Sequence, residues 1–252
     1  MSRNYELMQQ ANLSLPVDHG AARTGHETAA AVAPSRVSAK AGSDDVAREE
    51  VLKLVQRLFL ADSEHPLRIV VFSGIDAGSG CSHICSLAAE ILATTSKGNV
   101  CLVDANLRTP SLPEVFGVSN HYGLTDSLRS TGPIREFAKP LQPDNLWLLS
   151  AGSLGADAAG MLGTDAMKLR LKELRQQFDY ILIDSSPLNT FADAFALGKM
   201  ADGLVLVLEA NTTRRESALR VAERLCAAQV QVLGAVLNNR TYPIPESVYR
   251  RI

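Results

Sequence analysis

The sequence predicts an α/β fold, a doubly wound and mostly parallel sheet, and three observations lead there. Short apolar runs rich in β-branched residues recur along the chain, nearly continuous, as strands buried on both faces require. Helical patterns stand between them, and such alternation describes a sheet covered on both sides. A glycine-rich turn follows the first run and opens a helix, at the edge where such sheets hold ligands. Composition agrees with this reading. Hydrophobic residues make up 46% and charged residues 21%, which excludes a chain disordered throughout, collagen-like or coiled-coil. At ~150 residues per domain, the 252 residues predict a single domain with an appendage.

Taken in order, residues 1–45 are rich in Ala, Ser, Gly and mixed charges, and Tyr5 is the one aromatic before Phe59. Such a stretch buries too little apolar surface to offset its ordering entropy, so a disordered tail is expected. Over 46–60, Val51, Leu52, Leu54, Val55, Leu58 and Phe59 recur at helical spacing, with Glu49 and Glu50 near the start where the helix dipole favours acids. This lead-in helix opens a domain over 46–252 that closes on a tail over 240–252. Strands are expected at 67–72, 100–103, 146–149, 180–183, 204–208 and 230–237. Helices are expected around Ile84, Leu87, Ala88, Ile91 and Leu92, then Met167, Leu171, Leu174 and Phe178, then Ala218, Val221, Ala222 and Leu225.

Charge and length exclude several functions. The 25 basic and 27 acidic residues leave a net charge of −2, with no basic excess for nucleic acid or an anionic membrane. No apolar stretch approaches the ~20 residues of a spanning helix. The start Met1-Ser2-Arg3-Asn4 lacks a signal-peptide apolar segment, so a cytoplasmic protein without a direct membrane span is expected. Cys81, Cys85, Cys101 and Cys226 are then expected as free thiols.

The chemistry gathers at strand ends. After the first strand comes Ser73-Gly74-Ile75-Asp76-Ala77-Gly78-Ser79-Gly80-Cys81-Ser82-His83. Glycines at a strand-to-helix turn let backbone N–H groups close on a phosphate at the helix N-terminus. Two readings stay open on this segment alone. Gly74-x-x-x-Gly78-x-Gly80 resembles the fingerprint of short-chain dehydrogenases, with Asp104 as the ribose-binding acid of an NAD(P) oxidoreductase. Those enzymes place Lys four residues after a catalytic Tyr, and none of Tyr5, Tyr122, Tyr180, Tyr242 or Tyr249 has one. The alternative is the P-loop, G-x-x-x-x-G-K-[ST]. Gly80 and Ser82 match it, and Cys81 stands in the lysine position. A cysteine at a helix N-terminus is also where a depressed thiol pKa would be sought.

The later strand ends favour the P-loop. Val100-Cys101-Leu102-Val103-Asp104-Ala105-Asn106-Leu107-Arg108-Thr109-Pro110 ends the second strand, and Tyr180-Ile181-Leu182-Ile183-Asp184-Ser185-Ser186-Pro187 carries an acid like a Walker B element. Asp193-Ala194, Asp202-Gly203 and Gly234-Ala235-Val236-Leu237-Asn238 follow. With these elements in this order, the chain from about residue 46 onward resembles the bacterial tyrosine autokinases of capsule and exopolysaccharide assembly, the BY-kinases, relatives of the MinD/ParA P-loop ATPases.

The resemblance implies ATP or ADP with Mg²⁺ as ligands. It assigns Gly78, Ser79, Gly80, Cys81, Ser82, His83, Arg108 and Asn238 to the nucleotide, with Asn238 reading adenine. Ser82, Asp104 and Asp184 would hold Mg²⁺, and the catalytic pair would be Asp104, as general base, and Asp184. It further implies a membrane polysaccharide co-polymerase, the chain-length adaptor, as partner, and a homo-oligomer joined through an E-x-x-R-x-x-R segment. Here that segment reads Glu50-x-x-Lys53-x-x-Gln56, and Asn106 replaces the second acid after the second strand. The family's C-terminal tyrosine cluster is reduced to Tyr242 and Tyr249. Losing a cation that neutralises transferring phosphate costs on the order of 10²-fold in rate. The expectation is therefore a nucleotide-binding protein that catalyses poorly or not at all, with an active autokinase on a divergent P-loop as the alternative.

Overall fold

The computed structural model describes residues 41–61, 66–155 and 157–240. The expected tail falls on 1–45 and lies outside the described residues up to 40; Tyr5, Tyr242 and Tyr249 lie outside them too. Helix α1 spans Ala41–Phe59, starting before the expected residue 46. Strand β1 (Ile69–Gly74), helix α2 (Cys81–Thr95) and strand β2 (Val100–Ala105) follow, then short helices α3 (Leu112–Val115) and α4 (Leu124–Arg129). Strands β3 (Lys139–Pro140) and β4 (Leu146–Leu149) lead to α5 (Asp165–Gln177), β5 (Tyr180–Ser185), α6 (Asp193–Gly198), β6 (Gly203–Glu209), α7 (Arg215–Ala227) and β7 (Val232–Asn238).

The seven strands lie in the order β3-β4-β2-β5-β1-β6-β7. All pairs are parallel except β3 with β4, where Lys139 stands opposite Leu148 and Pro140 opposite Trp147. Every residue of β1 and β2 is buried, which is why the sequence reads as continuous apolar runs. Side chains alternate between two cores. Ile69, Val71, Cys101, Val103, Ile181 and Ile183 pack with α4, α5, α6 and α7, through residues such as Leu124, Leu171, Leu197 and Val221. Val70, Phe72, Leu102, Leu182 and Val205 pack on the other face with α1 and α2.

On α1, Val51, Val55 and Phe59 are the buried stripe. They recur every four residues and lie against Ile84, Ala88 and Leu92 of α2, in one core cluster. Each such side chain stabilises by about 1.5–3 kcal/mol, enough to fix a helix that would be marginal alone.

The strand order decides between the two phosphate-binding readings. A dinucleotide-binding sheet places its second strand beside the first, in the order 3-2-1-4-5-6. Here β5 separates β1 from β2. The acid ending β5 therefore stands between the glycine turn after β1 and the acid ending β2, and the oxidoreductase reading loses its topology as well as its Tyr-Lys pair.

Most strands run one or two residues past their expected ends, and two start two residues late. The first strand begins at Ile69 rather than 67 and runs through Gly74, carried by pairing with β5 and β6. The last begins at Val232 rather than 230, because Gln229 turns with φ of 57° and the N–H of Val230 closes the end of α7 on Leu225 O. The one- and two-turn helices α3, α4 and α6 and the strand β3 have no counterpart among the expected elements.

Candidate functional site

The glycine turn is a preformed loop. Gly78 and Gly80 hold φ of 83° and 77°, left-handed values that cost a side chain roughly 1–2 kcal/mol. Gly80 is the N-cap of α2, and its carbonyl accepts the N–H of Ile84 at 3.0 Å. Neighbouring strands and loops fix the rest. Ile75 N donates to Val207 O, Leu188 N to Gly74 O, and Asn189 N to Ile75 O. Asn189 Nδ2 also donates to Asp76 Oδ1 at 2.7 Å and to Ser217 Oγ at 2.8 Å. No acid occupies the first turn of α2, so its leading N–H groups and dipole are left for an anion. The His83 side chain is exposed; what its position offers a phosphate is the backbone N–H of the first helical turn.

Two carboxylates stand beneath the loop. Asp104 and Asp184 are cross-strand partners on β2 and β5. By the two-residue period of a strand they share the face of Leu102 and Leu182, the side packed by α2. Both are fully buried. Asp104 accepts the N–H groups of Asn106 at 3.2 Å and Leu112 at 3.1 Å. Burial, and then the neighbouring Asp184, push its carboxyl up to about 8. Burial lifts Asp184 to about 6, against the lowering effect of Ser82. Ser82 Oγ donates to Asp184 Oδ2 at 2.5 Å, whereas Asp184 Oδ1 is buried with no hydrogen-bond partner. A hydroxyl, two buried carboxyls and an orphaned carboxylate oxygen form an oxygen donor set that suits Mg²⁺.

Several residues around the loop have partners within the protein. The Cys81 thiol is pushed well above its ordinary value by burial and by Asp184. The buried carboxyl thus opposes the thiolate that the helix dipole favours. Cys85, one turn on, is raised for the same reasons. Arg108 does not reach toward the loop as a free cation: Nε and Nη2 donate to Asp193 at 3.1 and 3.3 Å, and its guanidinium lies 4.3 Å from the Phe191 ring centroid. Asn106 spends its amide on Thr109 and accepts from Ser186 Oγ at 3.2 Å. Asn238 Nδ2 donates to Ser79 O at 2.9 Å, so the residue expected at adenine touches the loop itself.

Sequence reasoning missed Asn189, Asp193 as the partner of Arg108, and Ser186. Asp193 was visible within its Asp-Ala element; that it pairs with a residue 85 positions away was not. In the segment expected to join subunits, Lys53 is engaged by Glu49 at 2.7 Å and Glu50 at 2.9 Å, while Gln56 and Arg57 are exposed.

No family profile matches the chain. Among characterised proteins it is 29% identical over 180 residues to the tyrosine-protein kinase YwqD of Bacillus subtilis, covering 71% of this chain and 76% of that one. It is 24% identical over 194 residues to the putative tyrosine-protein kinase CapB of Staphylococcus aureus, covering 76% and 84%. Among solved structures, the kinase domain of Escherichia coli tyrosine kinase ETK superposes with a TM-score of 0.71 at 22% identity, covering 79% of each chain. The septum site-determining protein MinD of Pyrococcus horikoshii, solved with Mg-ADP, superposes with a TM-score of 0.59 at 21% identity, covering 73% and 76%. The chain is similar in sequence to bacterial tyrosine-protein kinases, and its fold is that of their kinase domains and of MinD/ParA-type P-loop NTPases.

Proposed function

We propose that this BY-kinase-like chain binds adenine nucleotide with Mg²⁺ and transfers phosphate poorly or not at all. It acts as a regulator or scaffold of exopolysaccharide or capsule assembly, on the cytoplasmic side, with a membrane polysaccharide co-polymerase as its partner. Among the described residues no helix is long and apolar enough to cross a membrane, so membrane association would come through that partner.

The observation that carries the reading is Cys81. Phosphoryl transfer is catalysed mostly by positioning and charge neutralisation, and in place of the P-loop lysine stands a thiol that burial and Asp184 keep neutral. Arg108 is tied to Asp193. What remains supports binding: the left-handed glycines, the open start of α2, and Ser82, Asp104 and Asp184 to hold Mg²⁺. Bound there, Mg²⁺ would neutralise phosphate charge. A general-base role for Asp104 requires the carboxylate form, which burial beside Asp184 disfavours in the metal-free protein and which Mg²⁺ bound there would favour.

An active autokinase is the second reading, and the intact Ser82–Asp184 pair beside Asp104 favours it. Calorimetry with Mg-ATP, together with phosphotyrosine detection with and without the membrane partner, separates the two. The expected outcome is ATP binding without phosphotyrosine, and a gain on the order of 10²-fold in transfer in Cys81→Lys or after aminoethylation of Cys81. Robust phosphotyrosine in the unmodified protein that vanishes in Asp104→Ala would establish the active autokinase instead.

A further inference from the structure

The phosphate loop is gripped from β7 by one side chain. Asn238, the last residue of β7, donates from Nδ2 to Ser79 O at 2.9 Å. Its carboxamide fills the space that a side chain on Gly80 would need, so residue 80 stays small for lack of room as well as for its φ of 77°. The sheet fixes Asn238 in turn: it stands opposite Glu209 of β6, and its carbonyl accepts the N–H of Ala210 at 2.9 Å. The end of β7, held by its pairing with β6, thus sets where Ser79 and Gly80 stand, immediately before the N–H groups of Cys81 and Ser82. From Gly74 to Ser82 the segment carries no Lys or Arg. With no cation of its own to gather phosphate, the backbone cradle and whatever fixes it carry the binding.

We infer that Asn238 is a positioning residue of the phosphate loop, which sets polyphosphate affinity whatever base the ligand carries. This rests on the nucleotide-binding reading above. It differs from adenine recognition in one measurable respect: a ligand without a base must feel the loss of Asn238.

The experiment uses the full chain with Asn238→Ala and the near-isosteric Asn238→Asp, which turns an acceptor toward Ser79 O. Calorimetry measures Mg²⁺-ATP and Mg²⁺-tripolyphosphate. Peptide mass spectrometry follows alkylation of Cys81, which directly follows the gripped glycine, with exposed Cys226 as internal reference. The loss of one hydrogen bond should weaken both ligands by the same factor, about three- to tenfold. It should also speed Cys81 alkylation about threefold or more relative to Cys226, with the thermal midpoint showing that each variant is folded. Weakened ATP with unchanged tripolyphosphate would make Asn238 an adenine reader and overturn the proposal. An unchanged Cys81 rate would overturn it too. If the unmodified protein takes up neither ligand, the nucleotide reading falls, and the Cys81 rate alone decides the role of Asn238.

Discussion

Asp104 and Asp184 give the metal-free protein a pH dependence opposite to that of most acidic side chains. An unfolded aspartate ionises near ~3.9, whereas burial lifts Asp184 to about 6 and, with Asp184 beside it, Asp104 to about 8. Between the unfolded and folded values the native chain keeps protons that the unfolded chain has released, so stability falls as pH rises. The contribution is fully present below the unfolded value and is lost as pH rises through about 6 and about 8. With chelator present, the thermal midpoint should be several degrees higher at ~pH 5.5 than at ~pH 8.5, since 1 kcal/mol moves a domain of this size by ~2–4 °C. Mg²⁺ should narrow the gap, and Asp104→Asn should remove most of it; equal midpoints for the unmodified protein would refute the raised carboxyls. At the same scale, half-buried Cys81, its thiol pushed up by burial and by Asp184, should alkylate more slowly than exposed Cys226 at ~pH 7.5. Equal rates would contradict the raised thiol. Residue identities at the strand ends were legible because glycines and acids after apolar runs form a local pattern. Their partners were not: Asn238 meets Ser79 across 159 positions and Asn189 meets Asp76 across 113, and no local pattern encodes such pairings.

Short elements depend on others for their ends, and α4 shows how. Arg170 of α5 is buried and donates to the carbonyls of Ser127 at 2.8 Å, Gly132 at 2.8 Å and Ser130 at 2.7 Å, while pairing with Glu173. These carbonyls lie at and beyond the C-terminus of α4, where helix groups lack intrahelical partners. At the other end, Asp126 accepts the N–H of Gly123 at 2.9 Å. Arg170→Met keeps most of the side-chain volume but orphans the buried carbonyl of Ser127 and leaves those of Ser130 and Gly132 to solvent, so it should lower unfolding free energy by about 1–3 kcal/mol. A denaturant titration reads that loss, and amide exchange across 124–132 should quicken with it. An unchanged midpoint would mean that water replaces the arginine. The long elements were legible in the sequence because α1, α2, α5 and α7 run through several turns of a 3.6-residue repeat. A helix of four or six residues has no repeat to read, which is why α3, α4 and α6 appear only in the structure.

Across the whole molecule the two edges of the sheet are unlike. One edge is β3, two residues with Pro140, a form that blunts edge-to-edge pairing. The other is β7, seven residues with none fully buried, while β1 and β2 between them are buried throughout. Native-state amide exchange should therefore release β7 well before β1, β2 and β5, and uniform protection across the sheet would contradict this gradient. The fold class was legible because strand and helix patterns alternate along the whole chain. The strand order was not, since a local apolar run does not say which neighbour it will join. That order, and the register within it, also governs how this site can change over evolutionary time. Asp104 and Asp184 face the same side only because β2 and β5 pair residue for residue, and a one-residue slip turns every side chain of a strand to the opposite face. A single replacement at a loop position such as 81 or 106 leaves that register untouched. A one-residue insertion or deletion within β2 or β5 would remove a carboxylate from the site at once, so lineages of this protein should diverge there by substitution and almost never by length.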